Sequence, residues 1–201
     1  MLKNAYWEEF CRVQKVLERF GAVRDGKLTS KGELVASLRH DNELFVAEVV
    51  HREILADATL AEAACLCSCL SEESRAGDVA AVKRFLRTRV KLGRRLQQIE
   101  SVAQVLSEAQ REQRLSLPIS VNPGFMPAVY RWASGDDDWT AIVEESFGGH
   151  EGDLIRAFRR LIDLLRQLSE SEEVPRDLAL LLGESARRLD RGIVFDSALI
   201  I

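Results

Sequence analysis

From Glu151 to Leu168 the residue pattern admits little besides a helix, and that helix constrains how the rest of the chain packs. At about 100° per residue, Leu154, Phe158, Leu161, Leu165 and Leu168 fall on one side, flanked by Ile155 and Ile162. Arg156, Arg160, Asp163 and Gln167 fall opposite, with Arg159 beside the row. Glu151 and Asp153 at the start suit the positive end of a helix dipole. A stripe of this length has to be covered by other elements. The arginine face is left for something outside.

The helical period recurs almost throughout. Residues 4–20 read as an amphipathic helix stopped by Gly21, and residues 23–29 as a hairpin with Asp25-Gly26 at its tip. Thr29 or Ser30 caps a short helix running toward Arg39, and Asp41 caps the next, over 42–55. Thr59-Leu60-Ala61-Glu62 has the form of a capping box opening a helix to about Leu70. One long helix, bent near Gly93, is expected over 78–113, followed by an ordered connection at 115–124 that holds two prolines. Helices over 125–133, 138–147 and 152–168 come next, with Gly148-Gly149 as a stop signal before the third. A last helix over 175–191 precedes the apolar tail 193–201. The fold class expected is all-α: a helical bundle with one small N-terminal β-hairpin, a winged-helix-like remnant. Residues 1–40 form the winged-helix-like or linker segment, and 41–201 the bundle.

A chain of 201 residues can bury a real core as one large domain or two small ones. No uncharged run approaches the roughly 18 apolar residues that span a bilayer. Met1-Leu2-Lys3-Asn4 opens no secretory signal core. A cytoplasmic location, or an organelle reached by a signal since removed, is expected, with no membrane partner. The net charge of −4 hides an asymmetry. Lys83, Arg84, Arg87, Arg89, Lys91, Arg94 and Arg95 follow one another with no acid between them, while acids gather at Glu72-Glu73, Asp136-Asp137-Asp138 and Glu144-Glu145. Local potential, more than net charge, decides where an anion binds. The basic run is read as a solvated helix face, a phosphate-tracking surface or a dock for an acidic partner.

Phosphate-loop chemistry is missing, so this chain alone is not expected to hydrolyse a nucleotide by the usual route. Cys65, Cys67 and Cys69 lie in one helix, where only the first and last share a face; they read as small buried hydrophobes. Neither a metal site nor a disulfide is expected. No serine has the setting of a nucleophile, and no catalytic residue is assigned. Asp136-Asp137-Asp138 offers hard oxygens for a divalent cation, but a helix cap at Asp138 is the simpler role. The helix pair 138–147 and 152–168 invites comparison with helix-turn-helix readers, yet its second helix starts acidic, which phosphate disfavours.

Several stretches, taken in order, resemble the C-terminal helical domain of superkiller-type DExH RNA helicases, the DSHCT domain. They are Leu28-Thr29-Ser30-Lys31-Gly32-Glu33-Leu34-Val35-Ala36, Asp41-Asn42-Glu43-Leu44 and the cysteine-containing run 62–70. Val129-Tyr130-Arg131-Trp132-Ala133-Ser134-Gly135, Glu151-Gly152-Asp153-Leu154-Ile155-Arg156 with Arg160-Leu161 and Asp163-Leu164-Leu165, and Arg188 to Asp190 with Ile193-Val194-Phe195 complete the set. The resemblance implies a bundle placed after a winged-helix domain and two ATPase domains, with a ratchet helix at 152–168 lying against single-stranded RNA. It matches Arg160 to an RNA-contacting arginine and Asp163 to an acidic partner that is usually Glu; Glu72 or Glu73 aligns with a further RNA-near acid. Arg156 and Arg159 are expected to add attraction. The implied partners are single-stranded RNA and the helicase ATPase core, in cis or in trans. ATP and magnesium would belong to that core, and this chain would hold no cofactor. The alternative is a helical scaffold that binds protein partners without touching nucleic acid. Stepped arginines suit either nucleic acid backbone, and the sequence identifies no reader of the 2′-hydroxyl.

Overall fold

The computed structural model describes residues 2–70 and 79–196. Helix α1 (Leu2–Arg19) stops at Gly21, whose φ of +70° turns the chain. Strands β1 (Val23–Arg24) and β2 (Lys27–Leu28) pair antiparallel, with Val23 opposite Leu28. Between them Asp25 and Gly26 take φ values of 51° and 71°, the positive pair that a type I′ turn requires. Thr29 caps α2 (Ser30–Ser37) by accepting from the Gly32 N–H at 3.2 Å, and its own hydroxyl donates to the Gly21 carbonyl at 2.7 Å. Lys31 then reaches inward, donating to the Phe20 carbonyl and pairing with Glu48 at 2.5 Å. Glu48 is buried and Lys31 is largely covered, so the pair ties the first forty residues to the next helix.

That helix, α3 (Glu43–His51), starts and ends differently from expectation. Its cap is Asn42, not Asp41: the Asn42 side chain accepts from the Phe45 N–H at 3.0 Å and donates to the Pro118 carbonyl at 3.1 Å. It closes at His51 instead of continuing to 55, because Glu53 takes a left-handed φ of 55°. Thr59 and Glu62 form the expected capping box at the head of α4 (Leu60–Ser68). Seven of the nine α4 residues are buried, and the helix is wrapped by α6, α7, α9 and α10. Such a helix, covered on every side, must be apolar all round, and its small Ala and Cys side chains allow close approach.

The long helix expected over 78–113 is two helices, α5 (Val79–Arg87) and α6 (Val90–Glu112). Gly93 lies inside α6; the break is at Thr88 and Arg89 instead. Arg89 leaves the helical region (φ −122°, ψ 61°), and its guanidinium folds back over the Phe85 ring at 4.3 Å and the Tyr130 ring at 4.4 Å. Cation–π contact and the bond from Arg89 to the Phe85 carbonyl hold this elbow. A 3-10 turn (Pro123–Phe125) leads into α7 (Met126–Ala133), and Asp138 caps α8 (Trp139–Phe147). Gly148, left-handed at φ 63°, ends α8 as expected, and α9 (Glu151–Glu170), α10 (Arg176–Leu189) and α11 (Gly192–Asp196) follow. The α9–α10 pair makes the most extensive helix contact. Val16, Ala22, Leu34 and Leu38 share one buried cluster with Phe45, Leu66, Phe158 and Leu189, so the core crosses residue 40 without a break. The architecture is all-α with one small hairpin. Among the described residues, no helix is long and apolar enough to cross a membrane. Glu72, Glu73 and the tail beyond Asp196 lie outside the described residues.

Candidate nucleic-acid interface

Helix α9 is held from beneath by Leu154, Phe158, Leu161, Leu165 and Leu168, all buried as the periodicity requires, with Ala157, Ile162 and Leu164 widening the stripe. Burying each large apolar side chain is worth about 1.5–3 kcal/mol, so the helix cannot roll without losing most of its packing. An edge-to-face ladder runs from Trp132 through Trp139 to Phe158, with ring centroids 5.1 and 5.7 Å apart. Trp139 also donates to the Glu151 carboxylate at 2.8 Å, which ties the acidic start of α9 to α8 at the surface. Trp132 in turn donates to the Leu189 carbonyl and lies under the Arg191 guanidinium. The stretch around Trp132 and the residues from Arg188 to Asp190 are therefore clasp residues, locking α7 to the end of α10.

The opposite face of α9 carries the predicted residues in three different states. Arg160 and Asp163 are exposed one turn apart. Arg156 is exposed too and pairs with Asp153. Arg159 is turned inward, with its Nε and Nη2 out of solvent, and does not join the exposed row. Arg166, further along the helix, pairs with Asp190, the C-cap of α10, at 2.5 Å. Asp163 accepts from the Gln167 side chain at 2.7 Å, and the Gln167 oxygen accepts from the Arg39 backbone N–H at 2.6 Å. Arg160, Asp163, Leu164 and Gln167 thereby line, with Arg39, His40 and Asp41, an open cleft of about 180 Å³. The segment 39–41 was not foreseen as part of any site. Its link to Gln167 spans 128 residues, and no local pattern announces such a contact.

The other constellations resolve into structural work. Asp138 caps α8 through the Ala141 N–H, Asp136 accepts from Arg131 at 2.7 Å, and Asp137 pairs with Arg191. The Arg131 guanidinium, with the Asp138 N–H, holds the Asp136 carboxyl below the usual carboxylate range. Cys65, Cys67 and Cys69 are fully buried; Cys65 donates to the Met126 carbonyl and Cys69 to the Cys65 carbonyl. Burial pushes all three thiols up, Cys67 to about 12. Among the described residues, no three His, Cys, Asp or Glu side chains come together as a metal ion needs. In the basic run, Arg89 is committed to the elbow and Arg95 to the Ala56 carbonyl. Lys83, Arg84, Arg87, Lys91 and Arg94 are exposed, and none pairs with a carboxylate among the described residues.

Comparison with known proteins supplies the setting. The family model described as the DSHCT (NUC185) domain matches residues 25–196. The chain is similar to the DExH-box ATP-dependent RNA helicase DExH9 of Arabidopsis thaliana, 28% identical over 98% of this chain and 20% of the relative. It is similar to mRNA transport homolog 4 of Caenorhabditis elegans, 29% identical over 96% of this chain and 19% of the relative. Against the exosome RNA helicase MTR4 of Homo sapiens it is 25% identical over 95% of this chain and 18% of the relative. The chain thus spans about a fifth of the length of these curated relatives.

Proposed function

Since the chain belongs to the DSHCT domain family, we propose that it is the non-catalytic C-terminal part of an ATP-dependent RNA helicase and guides single-stranded RNA past the motor domains. The observation that carries this reading is the exposed Arg160–Asp163 ridge on a helix whose other face is locked into the core. Arg160 bonds phosphate or stacks on a base, as guanidinium groups do, and Asp163 steadies it or accepts from a base. Arg156 adds electrostatic attraction, and Arg159 contributes charge from below the surface. ATP and magnesium are held by the ATPase core, supplied in cis or in trans. Exposed Tyr6, Trp7 and Phe10 on α1, with Trp7 stacked on Phe10 at 5.4 Å, give that core an apolar face to cover. The compartment proposed is the cytoplasm.

The test is a titration of the 201-residue protein into fluorescein-labelled single-stranded RNA, followed by anisotropy at low salt. Arg160→Ala is expected to weaken binding about fivefold or more, the worth of one charge-assisted contact at a solvated site. Unchanged affinity removes Arg160 from the interface. A second reading, a protein-binding scaffold, draws on the exposed cations of the basic run, Lys83, Arg84, Arg87, Lys91 and Arg94. Capture of a partner that survives nuclease and high salt favours it, because phosphate contacts weaken steeply as salt rises.

A further inference from the structure

The loop that joins α3 to α4 and the first turns of α10 border an open groove of about 490 Å³. Seven of its ten lining residues are apolar, among them Val50, Leu55, Ala58, Leu178 and Leu181. The other three are acids, all exposed: Glu53 and Asp57 on the loop, and Asp177 on α10. Among the described residues, no lysine or arginine lines it. Glu53 and Asp57 both take left-handed backbone, at φ 55° and 52°, a conformation uncommon for glutamate. Backbone bonds hold the loop in that shape: Ile54 donates to the Val49 carbonyl at 3.3 Å, Ala56 to Glu53 at 3.0 Å and Ala58 to Leu55 at 3.3 Å. The Arg95 guanidinium donates to the Ala56 carbonyl from α6. Across the groove, the Ser185 hydroxyl donates to the Leu60 carbonyl at 3.2 Å and pins α10 to the head of α4. The groove is therefore preformed, and an occupant loses little binding energy in ordering it.

Apolar lining and an acidic rim together restrict what can bind. A phosphate backbone would run against three carboxylates. A metal ion is unsuited, since among the described residues the acids do not gather as one would need. Charge on both walls with apolar surface between suits a peptide chain. Its large aliphatic side chains enter the groove, and its lysines or arginines reach out to either rim. Leu180, one turn on from Asp177 and 63% exposed, continues the apolar surface beyond that rim. We infer that this groove docks a basic, leucine-bearing segment of a protein partner. Leu178 and Leu181 take its apolar side chains; Glu53 and Asp57 on one wall and Asp177 on the other take its cations. The groove shares no lining residue with the α9 cleft, so the domain holds such a partner without giving up that face.

The probe is a short fluorescein-labelled peptide of leucines and lysines, titrated with the 201-residue protein and followed by anisotropy. Two control peptides keep its length, one with glutamine for every leucine and one with glutamate for every lysine. The glutamine peptide is expected to bind about tenfold or more weakly, the worth of one buried leucine, and the glutamate peptide not at all. Amides shifted by the leucine–lysine peptide are expected at residues 50–58 and 175–181. Asp57→Asn combined with Asp177→Asn tests the rim, because both sites are exposed and asparagine tolerates the left-handed backbone at 57. The pair is expected to lower peptide affinity about threefold or more and to leave oligouridylate affinity unchanged. Ala56→Phe obstructs the groove from an exposed position and is expected to abolish the preference for leucine over glutamine. Equal binding of the leucine and glutamine peptides by wild type overturns the inference, as do peptide shifts that avoid both segments. A dimer in sedimentation equilibrium that Ala56→Phe abolishes would give the groove to a second copy of this chain, and overturns it as well.

Discussion

Gly32 shows how a single atom can decide the joint between the hairpin and the bundle. A Cβ at this position would lie 2.1 Å from the Ala22 carbonyl oxygen, which is backbone and cannot swing away. Gly32→Ala is therefore expected to lower stability by about 1–3 kcal/mol, seen as a lower urea midpoint; an unchanged midpoint would mean that the α2–hairpin approach is looser than described. The buried cysteines make a prediction of a different kind. An unfolded thiol ionises near about 8.5, whereas the folded Cys67 thiol is held up to about 12. A folded value above the unfolded one means that stability is fully present below the unfolded pKa and drains away as pH rises toward the folded one. Denaturation midpoints should fall steadily from pH 8.5 upward, and replacing Cys67 with Ala should flatten that slope. At the recognition surface the same scale separates neighbours: Arg160 faces the cleft, while Arg159, one residue earlier, is turned toward the core.

At the scale of elements, the caps decide where helices begin. Asn42 both caps α3 and anchors the loop around Pro118, so Asn42→Ala should cost about 1–2 kcal/mol in thermal or urea unfolding, more than loss of a solvent-exposed cap. A loss below a few tenths of a kcal/mol would remove the cap from the account. Elements governed by short-range chemistry were legible in the sequence. Thr29, the Thr59–Glu62 box, Asp138 and the Asp25-Gly26 tip act within a few residues of themselves and lie where local rules put them. The apolar stripe of α9 was equally legible, because its period survives any arrangement of neighbours. The break between α5 and α6 was not, since it depends on Arg89 finding the ring of Tyr130 some forty residues away. Asp41 is the cap that local rules pick; Asn42 takes the place because its side chain also reaches the Pro118 carbonyl, distant in sequence. The same limit hid half of the candidate site: periodicity put Arg160 and Asp163 on the polar face of α9 and the family resemblance singled them out, but Arg39 and His40 reach the cleft through a contact that only the folded chain creates.

On the scale of the whole molecule, α4 is the hub and α9 is the face. Wrapping a small-residue helix with four others brings α9 and α10 close and leaves the outer side of α9 uncovered. Two surfaces then compete for an anionic strand: the α9 cleft, with its mixed charges, and the exposed cations of α5 and early α6. Raw charge favours the second. Built geometry favours the first, where polar side chains converge from α9 and from the 39–41 segment, which the Arg39–Gln167 bond joins. The measurement that tests this most directly is the amide footprint of an oligouridylate on the isotope-labelled 201-residue protein by heteronuclear NMR. With the strand on α9, shifted amides are expected to cluster at residues 156–167 and 38–42 and to saturate together. Shifts confined to residues 83–95, with α9 unmoved, would contradict it.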